Sequence, residues 1–187
     1  VMIQLFQELK QLPGKTHLFH NLSDDKLEQI AAISIGKSFQ DGELIFSEGE
    51  KCQGLFVILA GQVKVFKTSR IGREQIMGLL GTGECLAGVT AFDGNCYTAF
   101  AMALGQLRLL YLPREALLKV LKKDAALAFN LLTIFSRHLR RFSQLIEDLS
   151  LKEVSGRLAT YILLLSQQSA HSRVVELAIK KGQLAAF

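Results

Sequence analysis

Hydrophobic and polar positions change rhythm near Pro113. Over 36–112 the chain advances in short apolar stretches, cut every few residues by glycine. After Arg114 no glycine occurs until Gly156, and apolar positions fall at helical spacing. In the first part, 43–47, 54–59, 62–67, 75–80, 97–103 and 106–112 read as strands, with Ile58, Val63, Val65 and Phe66 supplying β-branched and aromatic content. Asp41-Gly42, Glu48-Gly49, Ala60-Gly61, Ile71-Gly72, Gly81-Thr82-Gly83 and Asp93-Gly94 separate them as turns, glycine supplying positive φ without steric cost. Many short strands at this spacing predict an antiparallel sandwich or jelly roll.

Helices flank this region. Residues 2–12 form an amphipathic segment stopped by Pro13-Gly14, and Ser23 caps a second helix with Asp24 and Asp25 in its first turn and Leu27, Ile30 and Ala31 on one face. Beyond Pro113, one helix covers 114–121 and a longer one, capped by Asp124, covers 124–149, on the order of 39 Å. Ala128, Leu132, Phe135, Leu139, Phe142, Ile146 and Leu149 step by 4 and 3 in alternation, a heptad seam. Leu127, Leu131, Ile134 and Leu145 make a flanking stripe. A helix sealed against one body needs a single stripe, so two predict contact with its own domain and with a second copy; the alternative is a helix buried inside a monomer. Arg137, Arg140 and Arg141 lie off the seam and read as solvated charges. A further helix spans 152–167, a strand-like run 173–177, and a last helical pattern 180–187 whose unfinished apolar face predicts a domain continuing past Phe187.

Composition narrows the function classes. With 49% hydrophobic and 21% charged residues among 187, the chain can fill a core. No apolar run approaches the ~20 residues of a membrane span, and no basic segment precedes an apolar one at the N-terminus. Cys52, Cys85 and Cys96 are odd in number and dispersed, which predicts a reduced, cytoplasmic protein without disulfides. A net charge of +5 permits nucleic-acid contact without demanding it. The histidines are His17, His20, His138 and His171, none within 43–112, so no histidine-based metal site can form on the strands. Without a P-loop, GxGxxG or Ser-His-Asp grouping either, an enzyme is not expected.

His17-Leu18-Phe19 before Leu22-Ser23, the run from Gly42 to Glu50, Leu55 to Val65, Gly83-Glu84, and Lys181-Gly182-Gln183-Leu184-Ala185 after a long seam together carry a resemblance. In this order they resemble the cyclic-AMP receptor/fumarate–nitrate regulator family of bacterial transcription factors. The resemblance implies an α+β chain: an antiparallel β-roll of the cyclic-nucleotide-binding kind, a long dimerisation helix, and the start of a winged helix-turn-helix. It implies an effector-sensing domain over 1–121, a dimerisation helix over 122–150, and the beginning of a DNA-binding domain over 151–187. It further implies a homodimer in the cytoplasm that answers a small-molecule or gas effector and has DNA and RNA polymerase as partners. A stand-alone sensor acting by protein contact is the alternative.

Cyclic-nucleotide-binding relatives carry Gly-Glu and, about ten residues later, Arg-Ser/Thr for the ribose and the cyclic phosphate. Here those positions read Ala87-Gly88 and Tyr97-Thr98. Removing both the carboxylate and the guanidinium forfeits charge-assisted hydrogen bonds to a buried anion, so cyclic AMP is not the expected effector. The expected pocket is apolar, made by Leu86, Ala87, Gly88, Val89, Tyr97 and Thr98. The branch with Phe92-Asp93 and Tyr97 after the glycine turn includes regulators proposed to sense nitric oxide through heme. That resemblance implies heme as cofactor, with His17 and His138 as candidate ligands, and Leu132, Phe135, Leu139, Phe142, Ile146 and Leu149 at the dimer interface.

Overall fold

The structure, a computed structural model, describes residues 2–12, 16 and 18–168. His17, Pro13-Gly14, the run 173–177, His171 and the expected helix-turn-helix start at Lys181–Ala185 lie outside the described residues.

Two helices, α1 (Met2–Gln11) and α2 (Asp24–Ile33), precede six strands. These are β1 (Ile35–Phe39), β2 (Leu44–Phe46), β3 (Gly54–Thr68), β4 (Glu74–Leu80), β5 (Cys85–Leu86) and β6 (Phe100–Pro113), with the short helix α3 (Gly88–Asp93) between β5 and β6. Then come α4 (Arg114–Leu121), α5 (Ala125–Leu151) and α6 (Val154–Gln168). Every pairing is antiparallel, in the order β1-β6-β3-β4, with β2 on β6 and β5 on β3.

Four of the expected strands are two. Residues 54–59 and 62–67 join as β3, and 97–103 and 106–112 join for the most part as β6. The glycine between the first pair bends a strand instead of ending it: Gly61 has φ 94°, and a Cβ there would stand 2.5 Å from the Gln106 carbonyl oxygen. The ladder slips at Ile58/Ala60 and again at Ala60/Gln62, so β3 and β6 curl together. One bent ribbon thus serves both halves of the roll.

The core lies between this ribbon and the helices. Leu55, Val57, Ile58, Leu109 and Leu110 are fully enclosed, and Leu9, Leu18, Phe19 and Ile30 close one end. Asp124 caps α5 as expected, accepting from the Ala126 and Leu127 amides at 2.9 and 3.1 Å and pairing with Lys26 at 2.8 Å. Ser23 differs: its side chain makes no cap hydrogen bond, and its backbone carbonyl accepts from the Lys26 and Leu27 amides instead, at 3.1 and 3.0 Å. Asn130 donates to the carbonyls of Leu18 and His20, at 3.0 and 2.9 Å, and ties α5 to the N-terminal segment. No helix among the described residues is long and apolar enough to cross a membrane.

Candidate functional site

The first three turns of α5 are fixed by the cap and by burial of Leu127, Leu131 and Ile134, which leaves the following turns lying against the roll. There they wall a cavity of about 160 Å³. All six residues expected to form the pocket, Leu86, Ala87, Gly88, Val89, Tyr97 and Thr98, line it. Phe46, Val65, Met77 and Leu80 add apolar wall from the sheet, and His138, Arg141 and Phe142 come from α5.

Local backbone explains the shape. Ala87 sits in the left-handed region at φ 60°, which turns the chain from β5 into α3. Gly88 then lies so close to α5 that a Cβ would meet Phe135 Cε1 at 2.5 Å. Tyr97, where nucleotide-binding relatives have arginine, is buried and stacks on Phe46 with ring centroids 3.9 Å apart. Burial, with the neighbouring Cys52 thiol, pushes its phenol pKa up, so it stays neutral. Thr98 is exposed at the rim.

A second, polar cleft of about 280 Å³ adjoins the first and shares Cys85, His138 and Arg141 with it; Thr82, Gly83, Glu84, Ile134 and Arg137 complete its wall. Arg141 Nη1 donates to Glu84 Oε1, while Glu84 Oε2 accepts from the Gly81 amide at 2.8 Å. This pair joins the glycine turn of the roll to α5. Burial lowers the His138 pKa, Arg141 lowers it further, and Glu84 opposes both. Burial, reinforced by the Glu84 charge, pushes the Cys85 thiol up to about 12, which leaves it unreactive. Cys96 is exposed and lines neither cavity. Among the described residues no group of three or more potential ligands could hold a metal ion.

Two expectations need correction. Arg141 is not merely a solvated charge: it lines both cavities, and Arg137 lines the polar one. The long stem of Arg141 lets its guanidinium reach Glu84 of the roll from the helix. Phe135 is not simply a seam residue: it is half-buried and packs edge-on against Phe92, centroids 5.5 Å apart, because Gly88 leaves room for its ring. The seam positions Leu132, Leu139, Phe142 and Ile146 are exposed by 43–67%, and Phe129 joins them at 70%. The Leu149 side chain and His17 lie outside the described residues, so His138 is the candidate histidine that the structure places at the site.

Residues 36–124 match the cyclic nucleotide-binding domain family. The chain is 30% identical over 151 residues to the cyclic AMP receptor protein of Thermus thermophilus, covering 81% of this chain and 70% of that one. To the fumarate and nitrate reduction regulatory protein of Vibrio cholerae it is 28% identical over 164 residues, covering 86% of this chain and 64% of the relative. The crystal structure of Thermus thermophilus catabolite activator protein superposes with a TM-score of 0.65 at 29% identity, over 82% of this chain and 72% of that one. These relatives are transcription regulators and not enzymes. A curled antiparallel roll, a cavity closed by the following long helix, and this level of identity to two of its members place the chain in one family: it belongs to the cyclic-AMP receptor/fumarate–nitrate regulator family of bacterial transcription regulators.

Proposed function

We propose that this chain is the sensing and dimerising part of a cytoplasmic, effector-responsive regulator that works as a homodimer on DNA, with RNA polymerase as a further partner. An effector enters the cavity between roll and α5, and differential affinity for two placements of α5 sets the DNA affinity. One observation carries this reading: α5 presents a buried stripe to its own roll while Leu132, Leu139 and Ile146 stay more than 60% exposed. Phe142 belongs to both regions, lining the cavity and standing 43% exposed on the outer face, so effector contact can shift the dimer surface directly. Sedimentation of Leu139→Asp tests the dimer: the wild type should sediment as a dimer and the variant as a monomer, and an unchanged dimer would refute the seam.

The effector in this reading is not a cyclic nucleotide, since Gly88 and Tyr97, where the relatives' carboxylate and guanidinium would stand, offer no charge to ribose or phosphate from the roll. Calorimetric titration with cyclic AMP should give no saturable heat. A second reading, heme-based sensing of nitric oxide, is favoured by His138, whose lowered pKa keeps the imidazole in the neutral form that ligates iron. Heme there would supply the gas-binding iron, with His138 as its protein ligand. The apolar chamber of about 160 Å³ is small for a macrocycle, so heme requires α5 to swing off the roll, whereas a smaller effector does not. A Soret band that saturates on heme titration and vanishes in His138→Ala would establish the second reading.

A further inference from the structure

We infer that the effector is a compact amphipathic carboxylate, its apolar body in the chamber of the roll and its acid group held by Arg141 of α5. This inference rests on the effector site proposed above and names the ligand class. The chamber supplies the first half. Phe46, Val65, Met77, Leu80 and Leu86 wall a space of about 160 Å³, and a dry apolar cavity of roughly 150 Å³ takes up one benzene ring. The adjoining cleft supplies the second half. Arg137, His138 and Arg141 line it, against the single carboxylate of Glu84.

Glu84 engages Nη1 of Arg141. A guanidinium carries five N–H donors in a planar fork, so one carboxylate does not saturate it. Arg141 and His138 line both spaces, which sets a cation at the junction of an apolar and a polar compartment. A neutral apolar ligand would leave that junction unused, and an inorganic anion would leave the chamber unfilled. An acid joined to one ring or a short branched chain fills both. Because Arg141 belongs to α5 and Glu84 to the glycine turn of the roll, such an acid also competes for the contact that joins the two.

Calorimetry with phenylacetate, 2-phenylethanol and sodium sulfate as probes tests the assignment on the wild type. Phenylacetate should bind saturably, and the alcohol and sulfate each at least about tenfold more weakly, the loss expected when a charge-assisted hydrogen bond or the apolar contact is missing. Raising the salt should weaken the acid and leave the alcohol unmoved. Arg141→Gln should cost the acid about tenfold or more, Arg141→Lys less, and Arg140→Gln, outside both cavities, nothing. No heat with phenylacetate, or an alcohol or sulfate that binds as tightly as the acid, overturns the inference, and neither outcome depends on a variant that folds. Full acid affinity in Arg141→Gln overturns it as well. Sedimentation of the same samples keeps the two readings apart: a dimer that ignores the acid refutes only the ligand class, and a monomer that binds it refutes only the dimer relay.

Discussion

The two apolar stripes of α5 are alike in sequence and opposite in fate. Leu127, Leu131 and Ile134 of the inner stripe are buried against the roll, whereas Leu132, Leu139 and Ile146 of the outer stripe are exposed by 61–67%. Hydrophobic content does not distinguish them; what covers them does. The inner stripe is satisfied within the chain, and the outer one gains its burial only from another surface. The inner stripe also continues, in the same 4 and 3 steps, through His138 and Arg141 to Leu145. Its polar interruptions, His138 and Arg141, fall at the cavity, so the side of the helix that packs on the roll is also the side that walls the cavity.

The largest effect should come from breaking the sealed side. Leu131→Ala removes a side chain that is 3% exposed and should cost about 2–5 kcal/mol in urea unfolding, independent of protein concentration. Leu139→Ala should instead lower stability only where dimers form, so its effect should vanish on dilution. Equal, concentration-independent losses in both variants would erase the contrast between the stripes.

Gly88 sharpens the same contrast at the cavity. Gly88→Ala places a Cβ 2.5 Å from Phe135, and overpacking of this kind should cost about 1–3 kcal/mol while pushing α5 off the roll. Its neighbour should behave in reverse. Ala87 holds φ 60°, a region where glycine has no steric penalty, so Ala87→Gly should be neutral or stabilise by about 1 kcal/mol. Thermal melts of the pair check the sign at each position.

Much of this was readable in the residues, and the misses share a cause. The strong β-branched content of β3 and β6 and the Asp124 cap announce themselves locally. β1 does not, because Ile-Gly-Lys-Ser-Phe lies mostly exposed at a sheet edge and shows no apolar alternation, even though it pairs along its whole length with β6. Gly61 reads as a turn, yet the chain bends there without leaving the sheet. All six residues that the family resemblance implies for the pocket line the cavity. Arg141 was not legible, because a guanidinium on a helix reads as solvated until the roll is folded beneath it. The step of 3 from His138 and its place in the inner stripe were the available signal.

Asp124 is the next smaller lever, since it fixes where α5 starts and hence the phase of both stripes. Asp124→Ala should cost about 1 kcal/mol, and up to ~2, through loss of the amide hydrogen bonds of Ala126 and Leu127. The Lys26 hydrogen bond, aided by those two amides, holds the Asp124 pKa below its ordinary value against the effect of burial. Its contribution is therefore present at neutral pH and lost as pH falls through the acid range. A stability profile in which wild type and Asp124→Ala converge toward low pH confirms that sign; parallel profiles would remove the carboxylate from the account.

The smallest effect distinguishes the polar interruption from the apolar stripe around it. Burial first, and Arg141 next, lower the His138 pKa, while Glu84 pulls it back up. The unfolded chain therefore binds this proton more readily than the folded one, and stability must rise with pH between the lowered value and the ordinary histidine range. As pH falls through that window the wild type should lose stability that His138→Gln retains, since glutamine has no proton to take up. The comparison is urea unfolding of both proteins across pH 5–8, a window set by the ordinary histidine pKa of ~6.5. A phenylacetate-bound protein should lose this slope, because an anion beside Arg141 makes a protonated His138 welcome and brings its pKa back up. If the slope persists unchanged when the acid is bound, His138 does not share a site with it, and the inner stripe is interrupted for some purpose other than the ligand.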